Sequence, residues 1–126
     1  VDVNHDSLWG AQGCVIKDST ITSAIGSGNG VVINAGAGTN AFVDCDISHN
    51  SENGIVIAEH AKNNHLTGNS VFGNAGNGIE DNEASTATFY NISCNNGGQN
   101  CINVFPAQSP GNTAFAGSNI CCNLPQ

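Results

Sequence analysis

A weak motif returns about every 25 residues along this chain: an aliphatic residue, two spacers and usually an asparagine, then a glycine opening a second apolar triplet. It reads Ile47-Ser48-His49-Asn50 with Gly54-Ile55-Val56-Ile57, then Val71-Phe72-Gly73-Asn74 with Gly78-Ile79-Glu80-Asp81. A third copy reads Ile92-Ser93-Cys94-Asn95, followed by Cys101-Ile102-Asn103-Val104. Internal repetition at this period predicts a solenoid, in which each repeat buries its apolar face only against its neighbours.

Anchoring the repeats on Ile21, Ile47, Val71, Ile92 and Ile120 gives separations of 26, 24, 21 and 28, the irregularity expected of loops of different length. Five positions before each anchor stand Ile16, Phe42, Leu66, Ala87 and Phe115, and three positions after it stand Ala24, Asn50, Asn74, Asn95 and Asn123. A further column follows the glycines: Val31, Ile55, Ile79 and Cys101. Alternation within Gly30-Val31-Val32-Ile33 and Gly54-Ile55-Val56-Ile57 predicts short strands. The segments between them are rich in Gly, Asn, Ser and Thr, which favour turns. Helix is the poorer alternative, because no window keeps apolar residues at helical spacing free of glycine. Leucine-rich repeats share the period range but need recurring leucines at fixed offsets, and Leu occurs only at 8, 66 and 124.

The columns resemble those of right-handed parallel β-helix proteins, the superfamily that includes pectate lyases, polygalacturonases, alginate epimerases and tailspikes, from about Gly13 to Asn123. The resemblance implies an all-β, right-handed parallel β-helix of about five coils, with Asn50, Asn74, Asn95 and Asn123 as an asparagine ladder along one turn. Such a ladder satisfies turn amides that burial would otherwise strand. The expected organisation is a single domain over 1–126: an N-terminal cap or arm over 1–12, with Leu8 and Trp9 folding over the upper end, coils over 13–123 and a tail over 124–126. Five coils at about 4.8 Å make a column roughly 20–25 Å tall, open at both ends.

Ten Asp plus Glu stand against two basic residues, Lys17 and Lys62. Nucleic acid and anionic membranes are bound chiefly by Lys and Arg, so this balance argues against both as partners. No apolar run is long enough to span a membrane. Twenty asparagines and sixteen glycines, in a chain of which 10% is charged, predict a neutral, hydrogen-bonding surface. The six cysteines, Cys14, Cys45, Cys94, Cys101, Cys121 and Cys122, predict disulfides and a secreted or cell-surface location. On the coil map the expected pairing is Cys14 with Cys45, plus two bridges among the other four. No zinc spacing is present. Val1-Asp2-Val3-Asn4 reads as a terminus left by processing.

Candidate chemistry is sparse. Asp44 and Asp46 would share one face of an extended strand, a pairing suited to acid and base roles in glycoside hydrolysis. Glu80, Asp81 and Glu83 form the densest acidic cluster, whose oxygen ligands would suit calcium. His60 and His65 share a loop without a third ligand. Asn91-Ile92-Ser93 is a glycosylation sequon. The resemblance carries over no catalytic residue: the Asn-Thr-Asp, Asp-Asp and His-Gly segments of polygalacturonases, the arginine base of pectate lyases and the Asp-Pro-His motifs of alginate enzymes are all missing. The expected function is therefore a non-catalytic structural protein that stacks end to end with itself in an extracellular filament or surface assembly. The competing expectation is a carbohydrate-binding or carbohydrate-active protein, a polysaccharide lyase or glycoside hydrolase if an enzyme.

Overall fold

The computed structural model describes residues 1–3, 12–26, 28–83, 85–104, 107–108 and 118–122. Four coils follow one another, each of three short strands. The first holds β2 (Val15–Lys17), β3 (Thr20–Thr22) and β4 (Val31–Ile33), the second β5 (Ala41–Val43), β6 (Asp46–Ser48) and β7 (Ile55–Ile57). The third holds β8 (His65–Thr67), β9 (Ser70–Phe72) and β10 (Ile79–Asp81), the fourth β11 (Ala87–Phe89), β12 (Ile92–Cys94) and β13 (Cys101–Ile102). β1 (Asp2–Val3), β14 (Ala107–Gln108) and β15 (Asn119–Cys121) lie beyond these coils.

Stacking produces three parallel sheets. Sheet 1 runs β1-β4-β7-β10-β13, sheet 2 runs β2-β5-β8-β11, and sheet 3 runs β3-β6-β9-β12-β15-β14. Sheet 1 thus begins one level above the first coil. Sheet 3 continues two levels below the fourth, with β15 inserted between β12 and β14 out of chain order.

The interior is built from inward columns. Phe42 and Leu66 are in register on sheet 2, and Ile47 and Val71 on sheet 3; sheet 1 stacks Val31, Ile55 and Ile79 beside Ile33 and Ile57. All nine are at most 1% exposed, each contributing about 1.5–3 kcal/mol by leaving water. At the upper end Ile16 and Ile21 are only partly buried. Toward the lower end the inward positions turn polar: Asp81 of the third coil continues the column of Ile57, and in the fourth coil Thr88 pairs with Leu66 and Ser93 with Val71.

The inward columns therefore differ from the sequence expectation by one residue in the fourth coil. Ile92 pairs with Ser70 and Ile120, and its side chain is 46% exposed. Ser93 occupies the inward place instead, its hydroxyl donating to Asn100 O at 2.6 Å. A slip of one residue exchanges the two faces of a strand, so Ile92 faces out because Ser93 faces in. Ala87 is displaced in the same way by Thr88. Leu8, Trp9, Phe115, Asn123 and the 124–126 tail lie outside the described residues.

Each sharp corner begins with a residue of positive φ, and at seven of the eleven corners a ladder asparagine follows it. Between sheets 2 and 3 the first residues are Asp18, Asp44, Gly68 and Tyr90, at φ 49°, 52°, 69° and 57°. Between sheets 3 and 1 they are Ser23, His49, Gly73 and Asn95, at 62°, 55°, 64° and 56°. Entering sheet 2 they are Gly13, Thr39 and Asn63, at 69°, 55° and 57°. Three ladders stand behind these corners: Asn69-Asn91-Asn119, Asn50-Asn74-Asn96-Asn100 and Asn40-Asn64.

Every interior rung has the same chemistry. Asn74 Oδ1 accepts from Asn50 N at 3.0 Å and Asn50 Nδ2 at 2.9 Å, while its Nδ2 donates upward to Ile47 O at 3.1 Å and onward to Asn96 Oδ1 at 2.9 Å. The glycines of the motif make room for this rung. A Cβ on Gly54 would lie 2.4 Å from Val71 Cγ1, 2.7 Å from Gly78 O and 2.8 Å from Asn74 Nδ2. The expected ladder thus runs through Asn96. Asn95 is exposed and supplies the positive-φ corner before it.

Candidate functional site: the two ends of the column

The acidic candidates do not assemble into a catalytic pair. Asp44 occupies the left-handed corner between β5 and β6, so the alternation that would align it with Asp46 is broken between them. Its carboxylate leans over Gly68, with Oδ1 2.2 Å from where a Cβ there would lie. Asp46 is half-buried at the start of β6, and its Oδ1 has no hydrogen-bond partner among the described residues.

The three proposed calcium ligands face different ways. Glu80 points outward between Asn77 Nδ2 and Asn82 Nδ2, which donate to it at 3.0 and 3.1 Å. Asp81 points inward, 5% exposed, and accepts from Glu83 N at 3.0 Å. Burial raises its pKa above the usual carboxylate range. Glu83 is held by His60 N at 2.9 Å and by the N–H and hydroxyl of Ser85, and the hydrogen bond from the His60 backbone leads in lowering its pKa. Strand alternation separates Glu80 from Asp81, so these residues form no common ligand set. Among the described residues no three His, Cys, Asp or Glu side chains converge as a metal site.

Asn91 is fully buried, and its Nδ2 donates to Leu66 O at 2.9 Å and Asn119 Oδ1 at 2.8 Å. The nitrogen that would carry a glycan is a rung of the ladder, so a glycan at Asn91 is incompatible with this fold. Nothing in the sequon distinguishes the two uses; only the stacking of Asn69, Asn91 and Asn119 does.

Cys94 bonds Cys122 and Cys101 bonds Cys121, with Cα–Cα distances of 4.9 and 5.8 Å. Cys14 and Cys45 are free, the first exposed and the second buried. Their expected bridge is ruled out by register. Cys14 faces Asn40 in the coil below, whereas Cys45 lies below Ser19, at the far end of β2. A disulfide needs a Cα separation of roughly 4.4–6.8 Å, and that offset is longer. Cys45 instead turns its thiol inward toward Val43 O, at 3.4 Å.

With the interior accounted for, the ends remain. Among the described residues no strand lies above β2 or β3, or below β11, β13 or β14. Among the described residues the exposed large apolar side chains are Val1, Val15 and Ile25 at the upper end and Phe89, Tyr90 and Ile92 in the fourth coil, with none in the two coils between. Tyr90 is 62% exposed at a φ of 57°, an uncommon conformation for a bulky residue.

Stacked parallel strands, left-handed corners and asparagine rungs define a parallel β-solenoid. A family model described as a right-handed β-helix region matches residues 7–122, and the chain belongs to that family. No curated protein and no solved structure matches it. No helix among the described residues is long and apolar enough to cross a membrane.

Proposed function

We propose that this protein is a structural subunit, secreted and assembled end to end into an extracellular filament. The observation that carries the reading is that, among the described residues, exposed large apolar side chains occur in the outer coils and not in the two between. Phe89, Tyr90 and Ile92 alone offer roughly 300 Å² of apolar surface, the size of patch that on a soluble protein often marks an interaction site. The upper end carries different residues, so the contact is heterologous, the kind that continues into a fibre when it does not close. Two disulfides at the lower end fit an oxidising compartment.

Sedimentation of the oxidised protein tests this directly. Mass that grows with concentration supports assembly through the ends. A single-chain mass across the micromolar to submillimolar range overturns the proposal.

A further inference from the structure

Four asparagines of this chain stand directly before a glycine: Asn29, Asn53, Asn77 and Asn96. Such a pair is prone to spontaneous deamidation, because no glycine side chain hinders the approach of its amide to the neighbouring carboxamide. The glycine nitrogen attacks the asparagine Cγ, the side-chain nitrogen leaves as ammonia carrying the displaced proton, and a succinimide ring closes. Water then opens that ring at either carbonyl, giving aspartate or isoaspartate.

In each of the four pairs, both reacting groups are held by the backbone of a single residue in a neighbouring coil. Asn53 N donates to Asn29 Oδ1 at 3.0 Å, while Asn53 O accepts from Gly30 N at 2.9 Å. One coil down, Asn77 holds Asn53 Oδ1 and Gly54 N at 2.7 and 2.9 Å, and Gln99 holds Asn77 Oδ1 and Gly78 N at 2.9 and 2.8 Å. Asn96 Oδ1 and Gly97 N are held from above, by Asn74 at 3.1 and 2.8 Å. Ring closure needs the glycine N–H to release its proton and the carboxamide to swing onto that nitrogen. Both bonds to the clamping residue must break first, so the reaction waits for two coils to part.

We propose that these four pairs are latent deamidation sites, kept unreactive by coil stacking, and that opening of the two disulfides releases Asn77 and Asn96 first. The proposal goes beyond the structural reading above and does not rest on it. Gln99, the clamp of Asn77, and Asn96 itself lie between Cys94 and Cys101, which are bridged to Cys122 and Cys121. A dithiol reductant supplies two electrons and two protons to each bridge, becoming a disulfide itself, and the segment loses both covalent anchors. Asn29 and Asn53 keep their clamps, which stand in the second and third coils. Conversion is one-way. Aspartate at position 77 sets a carboxylate against Glu80 Oε2, to which Asn77 Nδ2 donates at 3.0 Å. Isoaspartate adds a carbon to the backbone and shifts the residues beyond it out of register with their neighbours. A copy that has opened and converted is thereby barred from restacking as before.

The wild-type chain is to be incubated at mildly alkaline pH in three states: oxidised, reduced by dithiol, and reduced in guanidinium. Peptide mapping reads each site by its gain of about 1 Da. In the oxidised protein all four sites should convert at least about tenfold more slowly than in guanidinium. Reduction alone should accelerate Asn77 and Asn96 while Asn29 and Asn53 stay slow. Gln99→Pro, with both disulfides intact, removes the N–H that holds Asn77 Oδ1 and should accelerate Asn77 while leaving Asn29 and Asn53 unchanged. Three results would overturn the proposal: an oxidised rate within about tenfold of the guanidinium rate at any of the four sites, reduction that accelerates all four equally or none, or an Asn77 rate in Gln99→Pro equal to wild type.

Discussion

Replacing Asn74 by alanine removes one rung from the middle of a ladder, and the structure states what is left behind. Asn50 N and one hydrogen of Asn50 Nδ2 lose the Oδ1 they shared, at 3.0 and 2.9 Å, and Ile47 O loses a donor at 3.1 Å. Asn96 Oδ1 keeps the bond from Asn74 N, which the substitution does not touch. Two donors are thus stranded, Asn50 N and one hydrogen of its Nδ2, in an interior where Asn74 itself is 1% exposed, while Ile47 O keeps its place in the β6–β9 ladder. At about 1–3 kcal/mol for each unsatisfied buried group, the loss is about 2–6 kcal/mol. Domains of this kind are stable by about 5–15 kcal/mol in total. In equilibrium urea unfolding with disulfides intact, the midpoint should fall by roughly 2 M at a typical denaturant slope. Asn95→Ala is the control. Asn95 is exposed at φ 56°, so its replacement forfeits only the tolerance of asparagine for the left-handed region, about 1 kcal/mol. Equal shifts for the two variants, or a shift below about 0.5 M for Asn74→Ala, would refute the claim that this ladder holds the coils together.

Three other outcomes follow from the same geometry. Gly54→Ala forces a Cβ against Val71, Gly78 O and the Asn74 amide, and should cost about 3 kcal/mol or more, whereas Gly13→Ala enters open space and should cost about 1 kcal/mol; comparable urea midpoints would contradict this. Thiol titration of the unreduced protein should give one fast-reacting group, Cys14, and a second, Cys45, only on unfolding; two fast groups would place Cys45 wrongly. Burial raises the Asp81 pKa, so its contribution to stability is present below its unfolded value and lost as pH rises through its folded one. Asp81→Asn keeps an acceptor for Glu83 N, and should therefore raise the melting temperature more at pH 7 than at pH 3; an equal change at both would remove burial as the cause.

The coil period, the glycine column and the rungs Asn50 and Asn74 were legible in the sequence because each repeats at a fixed offset. The phase of the fourth coil was not. Ile92 looks like an anchor because it is aliphatic, yet Ser93 is the residue inside, stabilised by its bond to Asn100 O. That bond joins residues seven apart and leaves no periodic trace. The Asn69-Asn91-Asn119 ladder was missed for a related reason. Its upper positions are Ser19 and Cys45, so the column reads as unrelated residues until register is known. The signal that could have exposed it is the pairing of a turn residue, Gly68 or Tyr90, with the asparagine that follows.

The same uniformity that made the fold readable leaves its interior without chemistry. A rung satisfies its neighbours by bonding both the coil above and the coil below, so an amide inside the ladder has little capacity left for a ligand. Carboxylates are treated likewise: Glu80 and Glu83 are each held by neutral donors, and Asp81 is turned inward. Only where stacking stops does an edge lack a neighbour of its own kind, and there the chain departs from its own rules. Tyr90 takes a corner filled above by Asp18, Asp44 and Gly68, and β15 enters sheet 3 out of order, pinned by Cys94–Cys122 and Cys101–Cys121. The two disulfides thus hold β15 in parallel register beneath β12, as an interior strand of sheet 3 whose outer neighbour is β14.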